Sequence, residues 1–232
     1  MASSDIAEYR DHDRMLIAVD CIIFGFDGKN LKALLIKRGF EPQLGNWSLM
    51  GGFVKRDEAV EKAAFRILEG LTGLTNIYLE HLFTFGDVNR DPGGRVISIA
   101  YFALIKINGY SQELMKEHNA KWFEIGQIPR MIFDHKKMIL LAKERLRQKV
   151  TNHPIGFELL PEKFTLPQLQ NLYEAIYETT FDKRNFSRKI LSLHILEKLK
   201  EKEKLTSRRG AFYYMFDYEK YKKLEQEGLK FI

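Results

Sequence analysis

Residues 51–74 constrain this chain more than any other stretch. They read Gly51-Gly52-Phe53-Val54-Lys55-Arg56-Asp57-Glu58 and then, after seven further residues, Arg66-Ile67-Leu68-Glu69-Gly70-Leu71-Thr72-Gly73-Leu74. A glycine loop opens into a helix, and Gly73 closes it. Asp57 is a suitable N-cap, so the helix is expected over about residues 57–71. Ala59, Ala63, Ala64 and Leu68 give it a small-residue face that can lie close on a sheet.

The strands for that sheet lie on either side. Residues 15–24 are almost all apolar and β-branched, as in a strand buried on both faces. Asp27-Gly28 supplies a turn and residues 31–38 return, making a hairpin. Strands at 78–88 and 96–107 flank a turn built on Asp91-Pro92-Gly93-Gly94. A short strand at 121–123 and a helix over 134–149 complete a mixed sheet with helices outside, an α/β sandwich.

Within that frame, residues 52–74 resemble the Nudix box, the loop-helix-loop of enzymes that hydrolyse nucleoside diphosphates linked to another group. The family pattern is Gly, five residues, Glu, seven residues, then Arg-Glu-U-x-Glu-Glu-x-Gly-U, with U bulky and apolar. Gly52, Glu58, Arg66, Leu68, Gly73 and Leu74 fall in register. The glutamates that hold divalent metal in the family would fall at Ile67, Gly70 and Leu71. Magnesium needs hard oxygen ligands, and this helix turn offers none of those three. Glu58 and Glu69 remain as solvated surface charge. The resemblance therefore implies a Nudix scaffold without catalytic residues, metal ligands or cofactor, and no enzyme.

The chain has 232 residues, enough for a middle-sized domain plus a smaller one. No run approaches the roughly 18 apolar residues of a membrane span, and residues 1–14 are a polar tail rather than a secretory signal. A single cysteine, Cys21, excludes an internal disulfide. These features suit a cytoplasmic protein. A boundary is expected near residues 150–156, dividing the chain into 15–150 and 151–232.

The second unit begins with a helix start at Thr165-Leu166-Pro167-Gln168, a capping box with proline in the first turn. Leu169, Leu172, Tyr173, Ile176 and Tyr177 recur at helical spacing. A second helix follows from Asp182 to about Leu193, then two strand-like segments around residues 204–210, then a helix capped by Asp217. Helix, helix, strand, turn, strand is the order of a winged helix-turn-helix. Between residues 183 and 209 there are ten Lys or Arg against three Glu, a local excess of +7 that exceeds the +6 of the whole chain. Such a cluster suits double-stranded DNA. Lys183, Arg184, Asn185, Ser187, Arg188 and Lys189 on the helix, with Arg208 and Arg209 on the wing, are the expected contacts. Lys198–Lys204, alternating with glutamates, could equally be a solvated strand edge.

A degenerate Nudix box followed by a winged helix resembles the Nudix-related transcriptional regulators of bacteria. That implies an α+β two-domain chain: a Nudix-like α/β/α sandwich that senses a ligand, then a winged helix-turn-helix that binds operator DNA as a homodimer. Residues 21–26 and 47–54 look most like a Bacteroidetes branch responding to sugars, which points to a pentose such as L-arabinose and control of carbohydrate catabolism. The alternative is ADP-ribose and NAD metabolism. The residues placed where a Nudix cleft receives substrate are Arg38, Trp47, Phe53, Asp87, Arg90, Asp91 and Arg95.

Overall fold

A computed structural model describes residues 11–73, 75, 77–107, 116–204 and 210–227. Its centre is β1 (Leu16–Phe26), paired along its whole length with parallel β6 (Val96–Lys106), from Leu16 opposite Val96 to Phe26 opposite Lys106. On its other edge β1 changes partner. Residues 18–21 pair with β4 (Met50–Phe53), and residues 23–26 pair with β2 (Leu31–Lys37). A cleft opens where β4 and β2 part. The sheet is completed by β3 (Trp47–Ser48) and β7 (Lys121–Glu124) on β2 and by β5 (Tyr78–Phe85) outside β6.

The alternation of side chains along β1 sorts them into two cores. Val19, Cys21 and Ile23 pack beneath α1 (Val60–Thr72) with Ala63, Ala64, Ile67 and Leu68. Ile22, Phe24 and Phe26 face α2 (His135–Asn152) with Met138, Ile139, Ala142 and Leu146. This is the expected sandwich. Helix α1 starts three residues later than expected: Ala59 is its N-cap and makes no side-chain cap bond. Asp57 stays outside because Glu58 instead accepts the Lys55 amide at 3.1 Å, folding residues 55–58 as a turn. Gly73 ends α1 at φ 68°, a left-handed conformation that glycine adopts without steric cost.

The expected boundary near residues 150–156 is not an open linker. Helix α2 runs on to Asn152 and a 3₁₀ turn, Pro154–Leu159, follows with Pro154, Gly156 and Leu159 buried. Helix α3 (Leu166–Tyr177) carries the expected capping box, Thr165 accepting from the Gln168 amide. Helix α4 (Lys183–Ser192) is capped by Asp182, which accepts from the Asn185 amide at 2.8 Å. A three-stranded sheet, β8 (Phe164–Thr165), β10 (Ala211–Phe216) and β9 (Leu196–Glu203), leads to α5 (Tyr218–Gln226). The strand β8 was not expected; two residues are too few to show an alternation. One apolar core joins the units, running from Leu146 and Val150 through Leu172, Tyr173 and Ile176 to Phe186 and Tyr214.

Thr165→Ala removes the hydroxyl that accepts from the Gln168 amide and leaves only the reciprocal bond from the residue 165 backbone N–H to Gln168 Oε1. We expect a loss of about 1 kcal/mol in urea unfolding, with an unchanged m-value.

Candidate functional site: a polar cleft and a basic helix

The cleft at the parting of β2 and β4 is lined by Asp20, Arg38, Phe40, Phe53, Arg90, Asp91, Phe133 and His135, with Gly51 and Gly52 forming part of its wall. Four of the seven sequence-expected residues, Arg38, Phe53, Arg90 and Asp91, are among the lining. The other three lie outside it. Trp47 packs edge-on against Phe123, centroids 4.8 Å apart, beneath the Lys37 ammonium. Asp87 is exposed and 4.0 Å from Lys137, and Arg95 donates to the Gly86 carbonyl at 2.9 Å.

Arg38 stands over the Phe40 ring at 3.9 Å and donates its Nε–H to the Phe40 carbonyl. Among the described residues no carboxylate pairs with its guanidinium within 4 Å, and Asp91, Asp20 and Glu41 act on it only from further off, so its outer N–H groups can meet an anionic ligand. Arg90, by contrast, is buried and committed. It holds Asp134 through two bonds of 2.7 and 3.0 Å and lies 3.7 Å from Asp20 Oδ2, tying the 87–95 turn to the start of α2. Phe133, which leads into α2, has φ 46°, strained for a bulky side chain.

Asp20, Ser98 and His135 were not anticipated. Ser98 Oγ–H donates to Asp20 Oδ2 at 2.5 Å, and the Leu49 amide donates to His135 Nδ1 at 3.0 Å. That second bond makes Nδ1 an acceptor, so the neutral ring carries its proton on Nε2. Burial lowers the His135 pKa below its ordinary 6.5, with Asp20 the largest opposing influence. A carboxylate inside an otherwise apolar strand was the available signal for Asp20. Nothing local marks Ser98 or His135.

The box residues have a structural use. Arg66 grips both oxygens of Glu58 at 2.6 and 2.7 Å and reaches the Phe53 carbonyl at 3.2 Å. This pairing, led by the Arg66 hydrogen bond, lowers the Glu58 pKa to about 2. Glu58 is therefore a loop fastener rather than an idle surface charge. Ile67 is buried in the α1 core, and Gly70 has no side chain to offer. Among the described residues no group of three or more His, Cys, Asp or Glu is placed to hold a metal. The residues present do not fit the family's divalent ion.

On α4, Lys183, Arg184, Asn185, Arg188 and Lys189 are exposed and Ser187 is half-buried, while Phe186 and Ile190 anchor the opposite face. Arg188 donates to Asn185 Oδ1 at 2.9 Å. Arg208 and Arg209 lie outside the described residues. Lys198 and Lys202 both stack on Phe212, at 3.8 and 4.3 Å, so these two lysines of the alternating stretch share one face of the hairpin.

Residues 15–142 match the NUDIX domain family, and residues 156–216 match the NrtR DNA-binding winged helix domain. The chain belongs to the NrtR-type branch of the Nudix family. The ADPR responsive transcriptional repressor NtrR of Acinetobacter baylyi is 33% identical over 222 residues, 93% of this chain and 88% of its own. An ADP-ribose pyrophosphatase of Methanocaldococcus jannaschii is 37% identical over 145 residues, 62% of this chain and 81% of its own. The crystal structure of Shewanella oneidensis NrtR complexed with a 27mer DNA has a TM-score of 0.78 at 31% identity, covering 86% of this chain and 93% of that one. Like other members of this branch, the chain is a DNA-binding transcriptional regulator with a Nudix-like ligand-binding domain. None of these three relatives is described as arabinose-responsive, so they do not support that expectation. Of the segments that suggested it, 21–26 is buried β1, and 47–54 includes the Ser48, Leu49, Gly51, Gly52 and Phe53 wall of the cleft.

The buried neutral His135 gives a pH dependence with a definite sign. Below pH 6.5 the unfolded chain takes up a proton that the folded ring resists, so this contribution to stability is present at neutral pH and declines on acidification. His135→Gln should flatten the fall in unfolding free energy between pH 7 and pH 5 by up to about 1.4 kcal/mol per pH unit.

Proposed function

We propose that this protein is a transcriptional repressor whose homodimer binds operator DNA through α4 and the wing and responds to ADP-ribose held in the β2–β4 cleft. The observation that carries the reading is similarity along 93% of the chain to a repressor named for its response to ADPR. The cleft agrees with it in chemistry. A nucleoside diphosphate needs a free cation and aromatic surface, and Arg38 with Phe40 and Phe53 supplies both. The pentose expectation gives way to its alternative, because a free pentose has no charge for Arg38 to meet.

A hydrolytic reading is favoured by one observation, the similarity to an ADP-ribose pyrophosphatase. The loss of carboxylates at Ile67, Gly70 and Leu71 weighs against it. Incubation with ADP-ribose and Mg²⁺ or Mn²⁺ should release no AMP, and stoichiometric turnover would restore the enzyme reading.

Two measurements test the regulator. Operator affinity should fall steeply with salt, and Arg188→Ala should weaken it by about 1–3 kcal/mol with the fold intact. Saturating ADP-ribose should move the operator midpoint by at least about tenfold, within the usual span of allosteric coupling, while L-arabinose leaves it in place. A midpoint indifferent to ADP-ribose would sink the effector assignment and leave the DNA-binding assignment standing.

A further inference from the structure

The floor of the cleft contains a carboxylate and an imidazole, both more than nine-tenths buried, whose facing atoms are too far apart to bond each other. Asp20 Oδ1 and His135 Nε2 stand 3.8 Å apart, beyond hydrogen-bond reach. Each group is fixed from behind. Ser98 Oγ–H holds Asp20 Oδ2 at 2.5 Å, with Arg90 3.7 Å from the same oxygen. The Leu49 amide holds His135 Nδ1 at 3.0 Å, and Ser48 Oγ lies 3.4 Å from that nitrogen. What remains toward the cleft is one anionic acceptor, Oδ1, beside one N–H donor, Nε2.

Gly51 keeps the acceptor open. A Cβ at this position would stand 2.3 Å from Asp20 Oδ1 and 2.9 Å from the Val19 carbonyl. The space above is small. The cleft, which opens to solvent, measures about 80 Å³. At roughly 10–15 Å³ for each water-sized group, that is room for several such groups, on the scale of a sugar ring.

We propose that Asp20 and His135 form a hydroxyl reader: one hydroxyl of a ligand's sugar ring bridges them, accepting from His135 Nε2–H and donating to Asp20 Oδ1. A hydroxyl is the group that can do both at once. An amine cannot accept from Nε2–H when protonated, and a phosphate oxygen would meet the Asp20 charge. Resting on the ADP-ribose reading above, the inference deepens it by assigning the terminal ribose, the part that ADP lacks, to the floor. The diphosphate then lies toward Arg38, and the adenine stays at the mouth beside the exposed Phe40 and Phe53.

The test compares two ligands on two proteins by calorimetry. Wild-type protein should bind ADP-ribose about 10- to 100-fold more tightly than ADP, the range for hydrogen bonds to a charged group. Asp20→Asn keeps the side-chain shape. Its oxygen remains with Ser98 and its amide NH₂ turns a donor toward Nε2–H, so the preference should collapse to within about threefold. If the wild type binds ADP within about threefold of ADP-ribose, the hydroxyl reader is overturned without recourse to any variant. If the wild type shows the preference and Asp20→Asn keeps it, the reader is equally overturned while the effector assignment survives. If neither nucleotide binds the wild type, the effector assignment falls and takes the reader with it.

Discussion

Everything in this protein is placed by the two edges of β1. One edge is hydrogen-bonded without interruption to β6, which fixes the strand as the centre of the sheet. The other is shared between β4 and β2. Two strands that meet the same neighbour end to end must diverge beyond it, and that divergence is the cleft. Asp20 lies opposite Gly51 in the β4 half of the pairing, with its side chain directed into the opening. A buried carboxylate costs several kcal/mol unless compensated, and the Ser98 hydroxyl and the Arg90 guanidinium provide the compensation.

The Nudix box shows how a scaffold outlives its chemistry. Glu58 and Arg66 persist as a two-bond clamp that fastens the 53–58 loop to α1. Ile67 uses its side chain to cover Gly52, a Cβ there standing only 3.3 Å from Ile67 Cδ1. A glutamate at that place would put its charge against the apolar α1 core. The helix has thus exchanged a metal-facing carboxylate for packing, and its remaining contribution is to hold the cleft wall in position.

Much of this was legible in the sequence. Strand β1 announced itself by its apolar run, α3 by its capping box and α4 by its alternating anchors, Phe186 and Ile190, among basic residues. These are local signals read over a few adjacent positions. The cleft was legible only in part. Arg38, Phe53, Arg90 and Asp91 came from the resemblance, whereas His135 and Ser98 sit 115 and 78 positions from Asp20, the differences of their numbers. No spacing rule spans such distances, since those contacts depend on the parallel register of β1 with β6 and on how α2 crosses the sheet. Trp47, Asp87 and Arg95 came from the same resemblance and lie outside the cleft lining, because Phe123, Lys137 and the Gly86 carbonyl engage their side chains instead.

The apolar core that runs unbroken from α2 into α3 and α4 has a thermodynamic consequence. Two bodies joined through polar contacts melt separately, but bodies that share a dry interior lose their packing together. Heat should therefore dissolve the sensor and the reader in one step. A molecule seated far from α4 would then shield that helix from unfolding without touching it, since any ligand that favours the folded form protects all of it at once.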